Sequence, residues 1–126
     1  MKTELSDGEW TLMKALWGSA PMTITQLTGA LKETTGWSKH TIISMLSRLE
    51  AKGAVAYREN GRAKEYYPCL GQGDASRSET RRFLDKVYGG SLGVMVHAMV
   101  DSKALSREDI QELAAILEKA KEDGAK

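Results

Sequence analysis

The stretch over residues 38–53 shows two chemically different faces when successive residues are placed about 100° apart, as they are in a helix. Four apolar side chains share about a third of the circumference, namely Ile42, Met45, Leu46 and Leu49. The opposite arc carries Lys39, His40, Ile43, Ser44, Ser47 and Arg48. Ser38 is suited to cap the start of this helix, and Gly53 to the left-handed position that ends it. The pattern predicts a helix that packs one face on a core and offers the other to a partner.

A β-hairpin is predicted directly after this helix. Val55 and Tyr57 fall on one side of an alternating strand, and the chain returns through Lys64 and Tyr66. Residues 59–62, between these two segments, contain the Asn-Gly pair that tight hairpin turns favour. We therefore expect a short wing behind the helix.

Polar residues at capping-box spacing mark four helix starts. The pairs are Ser6 with Glu9, Thr23 with Gln26, Ser76 with Glu79 and Ser106 with Asp109. The first two pairs begin helices that complete a helix-turn-helix with the helix over 38–53. Residues 71–74, Gly-Gln-Gly-Asp, interrupt the apolar pattern and predict a boundary. We expect a mostly α-helical protein, with a winged helix-turn-helix domain over 1–72 and a helical dimerisation domain over 73–126.

The second predicted domain carries more apolar surface than its three helices, over 78–88, 91–100 and 106–121, can enclose. A second copy of the chain is the simplest cover, and an intramolecular helical hairpin folded back on the winged domain is the alternative. The predicted dimerisation residues are Phe83, Leu84, Val87, Tyr88, Leu92, Met95, Val96, Met99, Ile110, Leu113 and Leu117.

Positive charge is concentrated in the predicted helix and wing. Residues 37–67 hold six Lys or Arg against three Glu, a net charge of +3, whereas the whole chain carries only +1. Such a patch is typical of nucleic-acid binders, and a two-fold dimer would set two such helices in successive major grooves of a palindromic site about 34 Å apart. The predicted DNA contacts are Lys39, His40, Ile43, Ser44, Ser47 and Arg48 on the helix, and Arg62 on the wing. A winged-helix module that binds a protein is the competing interpretation.

Other classes of function find no support in the composition. No apolar run is long enough to span a membrane, and no signal-peptide pattern is found, so we expect a cytoplasmic protein. One cysteine, Cys69, and two histidines offer no metal-ligand spacing. No phosphate-binding glycine loop or nucleophile motif is present either. We therefore expect no metal, cofactor, small-molecule substrate or enzymatic activity.

Several landmarks carry a resemblance to a known family. They are Leu5-Ser6-Asp7-Gly8-Glu9-Trp10, Leu16-Trp17, Trp37-Ser38 with Thr41-Ile42, Leu46 with Arg48-Leu49, Lys52-Gly53, Gly61-Arg62, Tyr66-Tyr67-Pro68, and Phe83 followed through Tyr88 to Ser91. With these motifs the chain resembles the penicillinase repressor family, the BlaI/MecI/CopY group of bacterial winged-helix transcription repressors.

The resemblance implies a homodimer that blocks promoters, including those of antibiotic-resistance or stress-response genes. Thr41 and Arg48 match the recognition face of the family, so the resemblance adds Thr41 to the expected DNA contacts. Some members are released from DNA when a sensor protease cuts an Asn-Phe bond in the middle dimerisation helix. The corresponding pair here is Ala98-Met99, which makes it the candidate site of proteolytic control by such a partner.

Overall fold

The computed structural model describes residues 4–124 of the 126-residue chain. Residues up to Thr80 form one compact unit, and residues from Arg81 onward form a second. The elements of the first unit are α1 (Asp7–Ser19), α2 (Ile24–Thr35), α3 (Lys39–Ala51), β1 (Val55–Asn60) and β2 (Ala63–Pro68). Then follow α4 (Gln72–Tyr88), which runs through the division, α5 (Leu92–Asp101) and α6 (Arg107–Asp123). This architecture confirms the predicted fold class, mostly helical with one small hairpin.

Three of the four predicted capping boxes are present. Ser6, Thr23 and Ser106 each accept a hydrogen bond from the backbone N–H three residues later, and the side chain at that later position accepts one in return. These reciprocal bonds satisfy backbone donors that have no partner within a helix, so they fix where a helix begins. The hydroxyl of Ser38 caps α3 as predicted, 3.2 Å from the backbone nitrogen of Thr41.

The fourth predicted capping box, at Ser76, is wrong. Helix α4 begins at Gln72, so Ser76 lies inside the helix, and the supposed break over 71–74 includes its first turn. Two features account for the earlier start of α4. Ala75 is buried at 5 % exposure, and Asp74 pairs with Arg77 one turn later, with 2.5 Å between Oδ1 and Nη2. The burial of Ala75, together with this ion pair, outweighs the weak helix preference of the neighbouring glycines.

The hairpin is an antiparallel pair in which Tyr57 faces Tyr66 and Asn60 faces Ala63. Gly61 has a φ of +66°, the left-handed conformation that a two-residue turn of this kind requires. Backbone hydrogen bonds of 2.8 and 3.0 Å between Met22 and Tyr66 attach β2 to the segment before α2. The predicted wing is therefore anchored to the helices.

The first unit encloses a hydrophobic core between its three helices and the hairpin. The apolar stripe predicted for α3 is confirmed, because its members are all at most 6 % exposed. They meet side chains of α1 and α2, including Leu12, Leu16 and Leu27, which are fully buried. The indole nitrogen of Trp17 also donates a 2.9 Å hydrogen bond to the carbonyl of Leu70, which ties α1 to the segment after β2.

The second unit has no comparable core. Within residues 81–124, Leu84 is the only buried residue, at 7 % exposure. Large apolar side chains with 44–59 % exposure lie along all three of its helices: Phe83, Val87, Leu92, Val94, Val100, Ile110, Ile116 and Leu117. None of the helices described over 4–124 is long and apolar enough to cross a lipid bilayer.

Candidate nucleic-acid interface

The outward face of α3 is exposed because the opposite, apolar face of the helix packs on the core. Lys39, His40, Ser44, Ser47 and Arg48 are all exposed, and Ile43 is 40 % exposed between them. The structure thus brings together the six side chains predicted on this arc. Thr41, which the family resemblance added, is only half-exposed, and its hydroxyl lies 3.3 Å from that of Ser38 at the helix cap.

The cations of this face differ in their surroundings. Lys39 and His40, in the first turn, form no ion pair with any residue in the described range 4–124. Arg48 is 61 % exposed, but its Nε lies 3.8 Å from the Oε2 of Glu9 in α1. One turn further, Lys52 Nζ lies 2.5 Å from Oε1 of the same carboxylate and 2.8 Å from the carbonyl oxygen of Glu4. Among residues 4–124, the start of α3 therefore carries a lysine and a histidine without an ion pair, and its end carries paired cations.

Glu9 is the residue beside this face whose long-range pairing sequence reasoning missed. Its side chain is 2 % exposed, and its carboxylate also accepts a 2.8 Å hydrogen bond from the backbone nitrogen of Ser6. Burial raises the pKa of this carboxyl, but hydrogen bonds from Lys52 and Ser6, with the nearby cations, outweigh burial and hold the pKa below its ordinary value. Glu9 is therefore ionised at neutral pH. The sequence signal at this position was the capping box, which accounted for the glutamate without a long-range partner.

The wing presents one unpaired cation at its tip. Arg58 is neutralised by its cross-strand neighbour Glu65, with 3.0 Å between Nε and Oε1. Asn60 donates to the same carboxylate at 3.2 Å. These hydrogen bonds lower the pKa of Glu65, and the one from Asn60 has the larger effect. Arg62, in the turn, is exposed and pairs with no residue of the described chain.

Lys64 is positioned differently from Arg62. Its Nζ lies 4.4 Å from the centre of the Tyr57 ring, within the range of a cation–π contact. Its ammonium group is thus held against the hairpin, although it remains exposed. Of the wing cations, Arg62 has the greatest freedom to reach a ligand.

The predicted dimerisation residues line the helices of the second unit. Phe83, Val87, Leu92, Ile110 and Leu117 are exposed in the single chain, and Leu84 alone is buried within it. The remaining members are half-buried: Tyr88, Met95, Val96, Met99 and Leu113.

The candidate cleavage pair, Ala98-Met99, lies inside α5 and is half-buried. The carbonyl of Ala98 accepts a 3.0 Å hydrogen bond from the backbone nitrogen of Ser102, and that of Met99 accepts one of 2.9 Å from Ala104. The peptide bond between them is therefore held in helical geometry near the end of the element. No group of three His, Cys, Asp or Glu side chains within residues 4–124 is arranged to hold a metal ion.

Comparison with known proteins identifies the family of this chain. The family model described as penicillinase repressor matches residues 5–119. The chain belongs to the penicillinase repressor family. The family that the sequence motifs predicted is thereby confirmed.

Individual members of the penicillinase repressor family match over nearly their whole length. The penicillinase repressor of Bacillus licheniformis is 35 % identical over 118 residues, which cover 94 % of this chain and 92 % of the relative. The methicillin resistance regulatory protein MecI of Staphylococcus aureus (strain N315) is 28 % identical over 92 % of this chain and 94 % of its own.

A solved structure adds a DNA complex to these relatives. The monomeric form of Bacillus licheniformis BlaI, bound to the blaP half-operator, superposes with a TM-score of 0.51 at 33 % identity. The match covers 57 % of this chain and 88 % of that one. The winged-helix fold of this repressor family is thus shared by the present chain.

Proposed function

We propose that this chain is a transcription repressor, and not an enzyme, that binds duplex DNA as a homodimer on a palindromic operator. The observation that carries the proposal is the cationic, outward face of α3, held by a fully buried apolar stripe in a chain similar to an operator-bound repressor. A protein of this function would act in the cytoplasm, where the DNA is.

Helix α3 has the properties required of a recognition helix in a major groove. Lys39 and Arg48 can neutralise phosphates, and Arg48 can also donate to the edge of a guanine. Ile43 is exposed in the middle of the face, where an apolar side chain suits the methyl group of thymine. Ser44 and Ser47 would donate to phosphates and so fix the register of the helix on the duplex.

The remaining predicted contacts lie at the edges of this face. His40, beside Lys39 in the first turn, can bond a base or a phosphate. Thr41 is less available for contact with DNA, because its hydroxyl already lies beside that of the cap residue Ser38. Arg62 at the wing tip suits the negative potential of a narrow minor groove. Together these residues would make one DNA-reading head for each subunit.

Homodimerisation through the second unit would connect two such heads. The exposed apolar side chains of α4, α5 and α6 need a cover, and a second copy supplies a self-complementary one. Two weakly binding heads then gain affinity through their effective concentration on one operator, and this gain is lost when the subunits separate. Bound across a promoter, the dimer would prevent transcription by occlusion.

Release by a sensor protease is the corresponding proposal for induction. Cleavage between Ala98 and Met99 would divide α5 and remove the apolar surface that we assign to the dimer. The helical hydrogen bonds of both carbonyls must first open, because proteases bind extended substrates. We therefore expect cutting to follow local unfolding of α5 and to be slow in the DNA-bound dimer.

Salt dependence of binding tests DNA recognition. A labelled upstream fragment should be bound steeply less well between about 50 and 200 mM salt, because bound phosphates release counterions. Lys39→Ala and Arg48→Ala should each flatten the logarithmic slope by about one. Lys14→Ala is the matched control, an exposed lysine on α1 outside the proposed contacts, and should leave the slope unchanged.

The competing function, a winged-helix module that binds a protein, gives the opposite result in the same titration. Such a module would show no preference among promoter fragments at low salt, and Lys39→Ala and Lys14→Ala would then behave alike. Footprinting of a bound fragment would add the half-site spacing, which we expect to be close to one duplex turn, or about 34 Å.

A further inference from the structure

Glu9 is the only buried charged side chain among residues 4–124. A buried carboxylate is costly unless other groups pair with it. Glu9 is paired by the backbone of Ser6, which caps α1, by Arg48 in the last turn of α3, and by Lys52, which directly follows α3. Both cations that pair with it in the described chain thus belong to the end of the helix that we propose reads DNA.

Helix α1 lies close to α3 at Gly8. A Cβ atom at position 8 would meet the terminal methyl group of Met45, which would have to move, and would lie 3.5 Å from the ring of Trp37. In this close packing the next residue, Glu9, is within reach of Lys52.

The geometry at Arg48 leaves its DNA-binding groups available. Glu9 lies opposite Nε, at 3.8 Å, and the Arg48 side chain is still 61 % exposed. At this distance the contact is an ion pair and not a hydrogen bond, so the carboxylate can orient Arg48 without retaining it. Lys52 is held more firmly, by the 2.5 Å contact.

We propose that Glu9 is a positioning residue for DNA recognition: its buried carboxylate orients Arg48 and fixes Lys52 at the end of α3, and so contributes to sequence discrimination without touching DNA. This inference rests on the proposed DNA-binding function. An arginine oriented before binding loses less conformational freedom when it contacts a base edge, and this benefit applies to the correct sequence only.

The charge change and the positioning role make opposite predictions for Glu9→Gln. Removing a negative charge beside a DNA-binding face should strengthen binding to any duplex, because the protein becomes more cationic. Loss of positioning should instead weaken binding to the correct sequence. A general loss of stability would weaken binding to both kinds of duplex equally. The ratio of the two affinities therefore isolates the loss of positioning, and the sign of the change in binding to the scrambled duplex separates the other two cases.

The test uses two probes and a matched control. One probe is a duplex selected by the wild-type chain from a random-sequence pool, and the other is a scrambled duplex of equal length and composition. For Glu9→Gln we expect the ratio of the two affinities to fall about tenfold, with binding to the scrambled duplex unchanged or stronger. Asp7→Asn removes the same charge from an exposed position in the same turn and should leave the ratio unchanged.

The outcomes separate this inference from the function on which it rests. If the wild-type chain selects no sequence from the pool, the proposed function itself is wrong. If it does select one and Glu9→Gln retains the wild-type ratio, or lowers both affinities equally, the positioning role is overturned. In Arg48→Ala, the addition of Glu9→Gln should change the ratio much less than it does in the wild type, because the residue being positioned is gone.

A measurement on the unaltered protein covers the case in which Glu9→Gln does not fold. Nuclear spin relaxation of the arginine Nε groups should show Arg48 restricted relative to Arg62, which has no ion-pair partner in residues 4–124. Equal mobility of the two side chains would overturn the inference without any substitution.

Discussion

The two units of this chain use their apolar residues in opposite ways. In the first unit, Leu12, Leu27 and Leu46 are at most 1 % exposed. In the second unit, Leu92 and Leu117 are 58 and 59 % exposed, and Leu84 is the one buried residue of 81–124. The first unit therefore buries its hydrophobic surface by itself, whereas the second leaves much of that surface exposed in the single chain, which fits the dimer that we propose.

This difference separates two kinds of stability. Stability that comes from a closed core does not depend on protein concentration, but stability that comes from association rises with it. We expect the first unit to behave as an independently folded head and the second to be ordered fully only in the dimer. The following predictions test that contrast, from the largest effect to the smallest.

Leu46→Ala should produce the largest effect. Removing a side chain that is 1 % exposed leaves a cavity in the closed core and should lower the free energy of unfolding by about 2–5 kcal/mol. Urea unfolding at two protein concentrations measures the change, which should be the same at both. A loss that diminished at high concentration would mean that the first unit also depends on the partner.

Leu117→Asp should act on association and not on the core. A charge placed on the proposed interface should weaken the dimer by about 30-fold or more, equivalent to about 2 kcal/mol. Sedimentation equilibrium measures the dissociation constant directly. Ala115→Asp introduces the same charge at an exposed position about 160° around α6 from Leu117 and should leave association unchanged. Equal effects of the two variants would contradict the interface that we assign.

Ser6→Ala and Ser106→Ala remove the same capping motif from the two units. Each loss should destabilise its helix by about 1 kcal/mol. For Ser6 this loss should be found in the unfolding free energy of the first unit, and for Ser106 it should be found mainly as weaker association. Hydrogen exchange of α1 and α6 amides, at low and high protein concentration, distinguishes the two. Concentration dependence at α1 would count against the contrast.

The smallest expected effect is a loss of stability of the first unit in acid, through protonation of Glu9. The folded pKa of Glu9 lies below its ordinary value of 4.5. Ionised Glu9 therefore stabilises the folded state above pH 4.5, and this contribution declines as the pH falls through the lowered folded value. The unfolding free energy of Glu9→Gln should depend less on pH below 4.5 than that of the wild type. Parallel pH profiles for the two proteins would exclude this linkage.

The parts of the structure that were predictable are those governed by local pattern. The stripe of α3 follows from helical periodicity alone, since Ile42 and Leu49 recur on one face. The starts of α1 and α6 follow from reciprocal caps, which involve only neighbouring residues. The wing turn was predicted to within one residue: it lies at Gly61 and Arg62, directly after Asn60, and the left-handed backbone at Gly61 favours glycine.

The parts that were not predictable depend on long-range packing. The start of α4 was hidden by two glycines, because the burial of Ala75 beside them cannot be read from local spacing. The pairing of Glu9 with Lys52 joins residues 43 positions apart, so no local spacing indicates it. The neutralisation of Arg58 by Glu65 required the strand register, which an alternating pattern does not specify to a single residue.

The positions of the tryptophans allow the two units to be followed separately by spectroscopy. All three tryptophans of the chain, Trp10, Trp17 and Trp37, lie in the first unit. The indole of Trp17, bonded to the Leu70 carbonyl, would exchange that partner for water when the first unit opens. Tryptophan fluorescence thus reports this unit alone, while far-ultraviolet circular dichroism sums the helices of both. If the second unit is stabilised by dimerisation, as we propose, dilution should separate the two melting curves, so that one spectroscopic sample distinguishes the two units.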